Sequence, residues 1–174
     1  MVEVVVWQMA VDEKTRVPIV ILREKDGTAK LPIWIGTTEA SAIAMEVQGR
    51  EFQRPLTHDL MATLLRALNA QVRQVEISSL KDTTYYARIV MQKDNDLISV
   101  DARPSDSIAL AVRAKAPIYA AEELLTHNLD DVLPDDGMTD QPRAPREPTE
   151  EEKADRLRRR LEDIDPEDFG KFPL

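Results

Sequence analysis

Apolar positions fall in short, β-branched runs and helical stripes over the first 125 residues, then thin out. Residues 2–11, Val-Glu-Val-Val-Val-Trp-Gln-Met-Ala-Val, predict a strand. Arg16 to Arg23 carries Val17, Ile19, Val20, Ile21 and Leu22 as a second strand, behind the hairpin-sized loop Asp12-Glu13-Lys14-Thr15. Asp26-Gly27 signals a turn, and Lys30 to Ile35 is a third strand. Pro18 and Pro32 each remove a ladder donor, so they belong at strand ends, edges or bulges. Gly36 ends the run. Thr37 or Thr38 can then cap a helix from about Glu39 to Val47, with Ala40, Ile43, Ala44 and Val47 on one face and Gly49 as its stop. Thr57 reads as the N-cap of a second helix whose core face is Leu60, Leu64, Leu65 and Leu68.

Val72 to Leu80 and Thr83 to Gln92 are two further strands around Lys81-Asp82. The imperfect alternation of Val72, Val75 and Ile77 suggests a bulge or a late start near Gln74. Leu97 to Asp101 is a short strand. Ser105 then reads as the cap of a helix with Ile108, Leu110, Ala111 and Val112, which Pro117 breaks, and Ile118-Tyr119 is a last extended piece. The pattern predicts an α+β fold, a mixed or antiparallel β-sheet with packed helices, over residues 1–125.

Residues 126–148 change character. Four prolines and five aspartates by Asp140 make an acidic, Pro-rich linker. Thr149-x-x-Glu152 is a capping box that opens a C-terminal helix within 149–174. Its stripe of Ala154, Leu157, Leu161 and Ile164 is too narrow to be stable alone, so the helix calls for a protein partner or a docking surface. The net charge of −9 is mostly a property of this region: residues 126–174 hold 8 basic and 15 acidic side chains. The body is near neutral, which neither marks it as a nucleic-acid binder nor bars it from being one. The sequence has no cysteine, which excludes disulfides, thiolate metal sites and a cysteine nucleophile. No apolar run approaches the roughly 18 residues of a membrane span, and Met1-Val2-Glu3 opens no secretory signal, so the cytoplasm is the expected address.

Polar chemistry gathers at three junctions: Gly36-Thr37-Thr38-Glu39, Arg54-Pro55-Leu56-Thr57-His58-Asp59 and Asp101-Ala102-Arg103-Pro104-Ser105-Asp106. Each precedes a predicted helix, where N–H groups and the dipole favour anions. The plain reading is caps and first-turn acids. The chemical reading is a phosphodiester site, since phosphate oxygens need cationic donors and the moving proton needs an acid or base. Carboxylates there could instead hold Mg²⁺ or Mn²⁺. No HExxH, GxSxG, P-loop or GxGxxG motif is present.

These junctions also resemble a known family. Leu31-Pro32-Ile33-Trp34-Ile35-Gly36 with Glu39-Ala40, then Arg54 to Leu60, then Asp101 to Ala111 are similar, in the same order, to the motifs of the bifunctional nuclease family, as is Thr84-Tyr85-Tyr86-Ala87. The resemblance covers about residues 1–125. It implies an α+β domain that degrades DNA and RNA, with matching polar positions at Glu39, Arg54, His58, Asp59, Asp101, Arg103, Ser105 and Asp106. On that basis Glu39, Asp59, Asp101 and Asp106 are candidates for base or metal ligand and His58 for general acid or base, imidazole exchanging protons near neutral pH. Arg54 and Arg103, with Ser105, are candidates for holding phosphate. Glu39, Arg54, His58, Asp101 and Arg103 are expected to line one cleft. The competing reading is a non-catalytic regulatory or binding module that uses the cleft for an anionic ligand or a protein partner. The apolar edge strands lead us to expect a homo-oligomer, a dimer above all.

Overall fold

A computed structural model describes residues 1–129. Its sheet has seven strands: β1 Val2–Val11, β2 Pro18–Glu24, β3 Lys30–Trp34, β4 Ala70–Lys81, β5 Thr84–Lys93, β6 Asp96–Ala102 and β7 Ile118–Ala120. Three helices complete it: α1 Thr37–Val47, α2 Thr57–Ala67 and α3 Pro104–Ala114. The strand order is β3-β2-β1-β7-β4-β5-β6. Two antiparallel three-stranded meanders are therefore joined through short β7, antiparallel to β1 and parallel to β4. The predicted α+β class with a mixed sheet is what the chain adopts.

Local chemistry explains the turns. Asp12 accepts the backbone N–H groups of Lys14 (3.0 Å) and Thr15 (2.9 Å), which closes the β1–β2 loop as an Asx-type turn. Asp82 and Thr83 both take positive φ (47° and 69°), the geometry of a two-residue hairpin that follows strand twist. The irregularity expected in β4 is real: its register against β5 shifts between Val72 and Gln74 and again between Ile77 and Ser79.

The core lies between one sheet face and the helices. Val4, Val20, Leu22, Leu31, Ile33, Val75, Ile77, Ala87 and Ile89 meet Ala40 and Ile43 of α1 and Ile108 to Ala111 of α3. Central α3 packs on both α1 and α2 and on β4 and β5. Edge strand β3 is also tied to β5, the strand next to the opposite edge, since the Tyr85 hydroxyl donates to the Pro32 carbonyl at 3.3 Å.

Several local expectations are corrected. α1, α2 and α3 have Gly36, Leu56 and Arg103 at their N-caps, and none makes a side-chain cap bond. Thr38, Thr57 and Ser105 lie inside the first turn instead. Pro104 at the first helical position explains one of these shifts, because its ring is preorganised for a helix start. α3 ends at Ala114 with left-handed Lys115 (φ 53°), ahead of Pro117. Gly49, at φ 64°, stops α1 as expected. The larger correction concerns α2. Leu60, Leu64 and Leu68 are 49%, 53% and 61% exposed, and of the predicted face only Leu65 packs on the core, beside Ala62. The helix turns inward a buried His58 and half-buried Ala62 and Leu65, at i, i+4 and i+7, because polar contacts from His58 and Asp59 fix its rotation.

Thr126 forms an antiparallel bridge with Lys30 at the edge of β3, so the described body runs slightly past residue 125. The linker from residue 130 on and the helix opened by Thr149 lie outside the described residues.

Candidate functional site

Each helix carries an acid at the third position of its first turn: Glu39 in α1, Asp59 in α2 and Asp106 in α3. A carboxylate there faces the unpaired N–H groups and the positive end of the dipole. Asp59 shows the effect directly, accepting the Leu56 N–H at 2.8 Å. In α1 the side chain of Glu39 folds back over Gly36, where a Cβ would collide with the Glu39 carboxylate. The glycine therefore gives Glu39 its room.

Two of these acids meet at Arg103. Its guanidinium donates to Asp106 through Nε (2.7 Å) and Nη2 (3.1 Å), and Nη2 reaches Glu39 at 2.9 Å. Asp106 in turn lies 3.3 Å from Nε2 of His58. The result is one polar chain, Glu39–Arg103–Asp106–His58, built from the N-termini of all three helices. Its exposure is graded: the Arg103 side chain is 66% exposed and that of His58 only 11%. Burial disfavours the charged form of Asp106, but hydrogen bonds from Arg103 and His58, and their charges, outweigh it and hold the carboxyl below its usual range. The hydrogen bond to Asp106, with the charges of Asp106 and Glu39, raises Arg103 further.

The other predicted site residues stand apart from this chain. Asp59 is held by the guanidinium of Arg113 and by the Leu56 N–H. Burial opposes its ionised form, yet these partners lower its pKa. Arg54 is exposed in the loop before α2, and its side chain makes no hydrogen bond or ion pair among the described residues. Asp101 is paired across the ladder with Arg88, while the next pair, Ala87 with Ala102, faces the helices. Alternation therefore directs Asp101 to the opposite face of the sheet. Ser105 is buried, 7% exposed.

Arg113 was not singled out by the sequence. It sits in an apolar helix with its side chain 5% exposed, and it donates to Asp59, to the Ala109 carbonyl (2.9 Å) and to the Ala42 carbonyl of α1 (3.1 Å). It thereby ties the three helices that carry the polar chain. The available signal was a lone arginine among Ile108, Leu110, Ala111 and Val112.

Chemically, the arrangement offers an exposed guanidinium that two carboxylates hold in orientation, beside an imidazole that a carboxylate orients. Among the described residues no three His, Asp or Glu side chains group as a metal site, and Arg103 occupies the space between Glu39 and Asp106.

Comparison with known proteins adds the family. The bifunctional nuclease domain matches residues 20–131, a stretch that contains all three junctions. An uncharacterised protein of Mycobacterium tuberculosis is 39% identical over 167 residues, covering 96% of this chain and 97% of that protein. Bifunctional nuclease 1 of Arabidopsis thaliana is 28% identical over 111 residues, and Bifunctional nuclease 1 of Oryza sativa subsp. indica 26% over 113. These matches cover 62% and 63% of this chain but only 34% of each plant protein. Among the described residues no helix is long and apolar enough to cross a membrane. With the domain match spanning well over half of its length, the chain belongs to the bifunctional nuclease domain family.

Proposed function

We propose that the protein is a nuclease that hydrolyses phosphodiester bonds of DNA or RNA at the Glu39–Arg103–Asp106–His58 chain. The observation that carries this reading is the position of Asp106 between Arg103 and His58. An ionised Asp106 accepts the Nε2 proton of His58 and so leaves Nδ1 as the basic ring nitrogen. Arg103, exposed and held in plane, presents its fork to the phosphate, and Glu39 is displaced as the phosphate enters. Asp59 acts as a positioning residue that sets the rotation of α2 through Arg113. The domain match and the plant relatives named bifunctional nucleases support the substrate class. The absence of cysteine suits a reducing compartment such as the cytoplasm.

The second reading, a non-catalytic module for an anionic ligand or protein partner, rests on one observation. Arg103 is already ion-paired on two sides, which suits a binding switch as well as a phosphate clamp. One experiment separates the two. Highly purified protein is assayed against single- and double-stranded DNA and RNA, with and without Mg²⁺ or Mn²⁺, beside His58→Ala and Asp106→Asn. Cleavage lost in both variants supports the nuclease. Oligonucleotide binding without cleavage supports the module, and cleavage retained in both variants refutes this site.

A further inference from the structure

The two edges of the sheet are treated differently. β3 is blunted three ways: Pro32 lacks a ladder donor, Thr126 bridges Lys30, and the Tyr85 hydroxyl takes the Pro32 carbonyl. Among the described residues, β6 at the other edge has none of these devices. Its seven residues, Asp-Leu-Ile-Ser-Val-Asp-Ala, contain no proline, lysine or arginine. They run in unbroken register against β5. Leu97 is 71%, Ile98 39% and Val100 41% exposed, so apolar side chains stand in water on both faces of a strand whose outer edge has no partner among the described residues. Edge strands left so apolar and so regular are templates for pairing.

We infer that β6 pairs with β6 of a second copy, antiparallel about a twofold axis at Ser99, to form one sheet running through both chains. This inference is independent of the nuclease reading. Ser99 is the midpoint of the strand, so an axis there overlaps all seven residues. Ile98 then faces the partner's Val100 and Val100 the partner's Ile98, two apolar cross-strand pairs on the helix side. The charges agree as well. A twofold pairing joins positions equally far from its centre. Asp96 and Asp101 lie an odd number of positions apart, so they never face each other. Asp96 meets the partner's Ala102 and Asp101 meets the partner's Leu97. Arg103, one residue past the strand, faces the partner's Asn95, flanked by the partner's Asp94 and the partner's Asp96. Opposite charges therefore close both ends of the interface. Each copy's Arg103 stands at the seam, which ties the polar chain of one subunit to the turn between β5 and β6 of the other.

The native sequence contains no cysteine, so a single introduced thiol reads the register cleanly. Directly opposed residues have Cα atoms about 4.5–5.5 Å apart, within disulfide range. The full chain carrying Ser99→Cys is therefore expected to form a disulfide-linked dimer under mild oxidation. Leu97→Cys is expected not to, because the partner's Leu97 lies four residues along the strand, roughly 13 Å away. Sedimentation at micromolar concentration is expected to show a dimer for the native chain and a monomer for Val100→Lys, with unchanged circular dichroism. If Val100→Lys does not fold, the Ser99→Cys and Leu97→Cys pair still decides. A native monomer, a dimer that survives folded Val100→Lys, or cross-linking at Leu97 as fast as at Ser99 would overturn the inference.

Discussion

Arg113 of α3 grips Asp59 at the start of α2, across 54 positions of sequence, while its remaining N–H groups hold α1 and α3 backbone carbonyls. With its side chain 5% exposed, the guanidinium is paid for only while these acceptors surround it. Arg113→Leu is accordingly expected to lower stability by about 2–3 kcal/mol, because it takes the buried charged partner from Asp59 and a donor from the Ala109 and Ala42 carbonyls. Urea denaturation measures the loss. Asp59→Asn, which keeps one acceptor, is expected to cost less than Arg113→Leu. The reverse order would show that Arg113 is not the tie between the helices.

The polar chain makes a graded prediction about catalysis. His58→Ala and Asp106→Asn are each expected to lower kcat by about 10²–10⁴, the range for a lost general acid or base. Arg103→Lys keeps the charge and loses the fork, so it is expected to act mainly on KM. Because His58 and Asp106 work as one unit, the double variant should be little worse than either single one. Additive losses measured in steady-state kinetics would mean that the two residues act separately.

Acid titration tests the same carboxylates without activity. Asp59 and Asp106 both have pKa values below their ordinary position in the folded chain. The unfolded chain therefore takes up protons first as pH falls. Their stabilisation is complete above the unfolded value of about 3.9 and disappears as pH drops through the folded values. Urea midpoints are expected to fall steeply below about pH 4. The Asp59→Asn/Asp106→Asn variant should be weaker at neutral pH yet show a shallower fall. Parallel curves would show that these two acids carry no linked stability.

Tyr85 offers a test of how the sheet is held. Its hydroxyl makes one long bond to the Pro32 carbonyl, so Tyr85→Phe is expected to cost about 0.5–1.5 kcal/mol. Hydrogen exchange should quicken in β3 before it does in β7. Uniform acceleration would show that this contact does not fasten the edge.

The strands were legible because β-branched runs between polar turns leave few alternatives, and even the β4 bulge showed in the spacing of Val72, Val75 and Ile77. The helix starts were not. Gly36, Leu56 and Arg103 at the caps carry no side-chain signature, whereas Thr38, Thr57 and Ser105 look like caps and are not. The stripe of Leu60, Leu64 and Leu68 outweighed the narrower His58-Ala62-Leu65 face, because hydrophobicity does not reveal that polar contacts set the helix rotation. Of the site, the three junctions could be read as a group. That Asp101 leaves and Asp106 stays depends on a strand face and a helix turn, which only register decides.

The placement of β7 has a consequence for how the chain acquires its structure. Among the described residues, β7 alone bridges the two meanders, and it comes after the other six strands and all three α-helices. During synthesis the first meander waits, its β1 edge open, until Ala120 has left the ribosome. The closing step pairs Val2 with Ala120, nearly the whole domain apart. Such a closure pays its loop entropy late and sets a slow final phase. A nascent chain halted before Ile118 would present two open strand edges, on β1 and β4, and would be the species most in need of a chaperone.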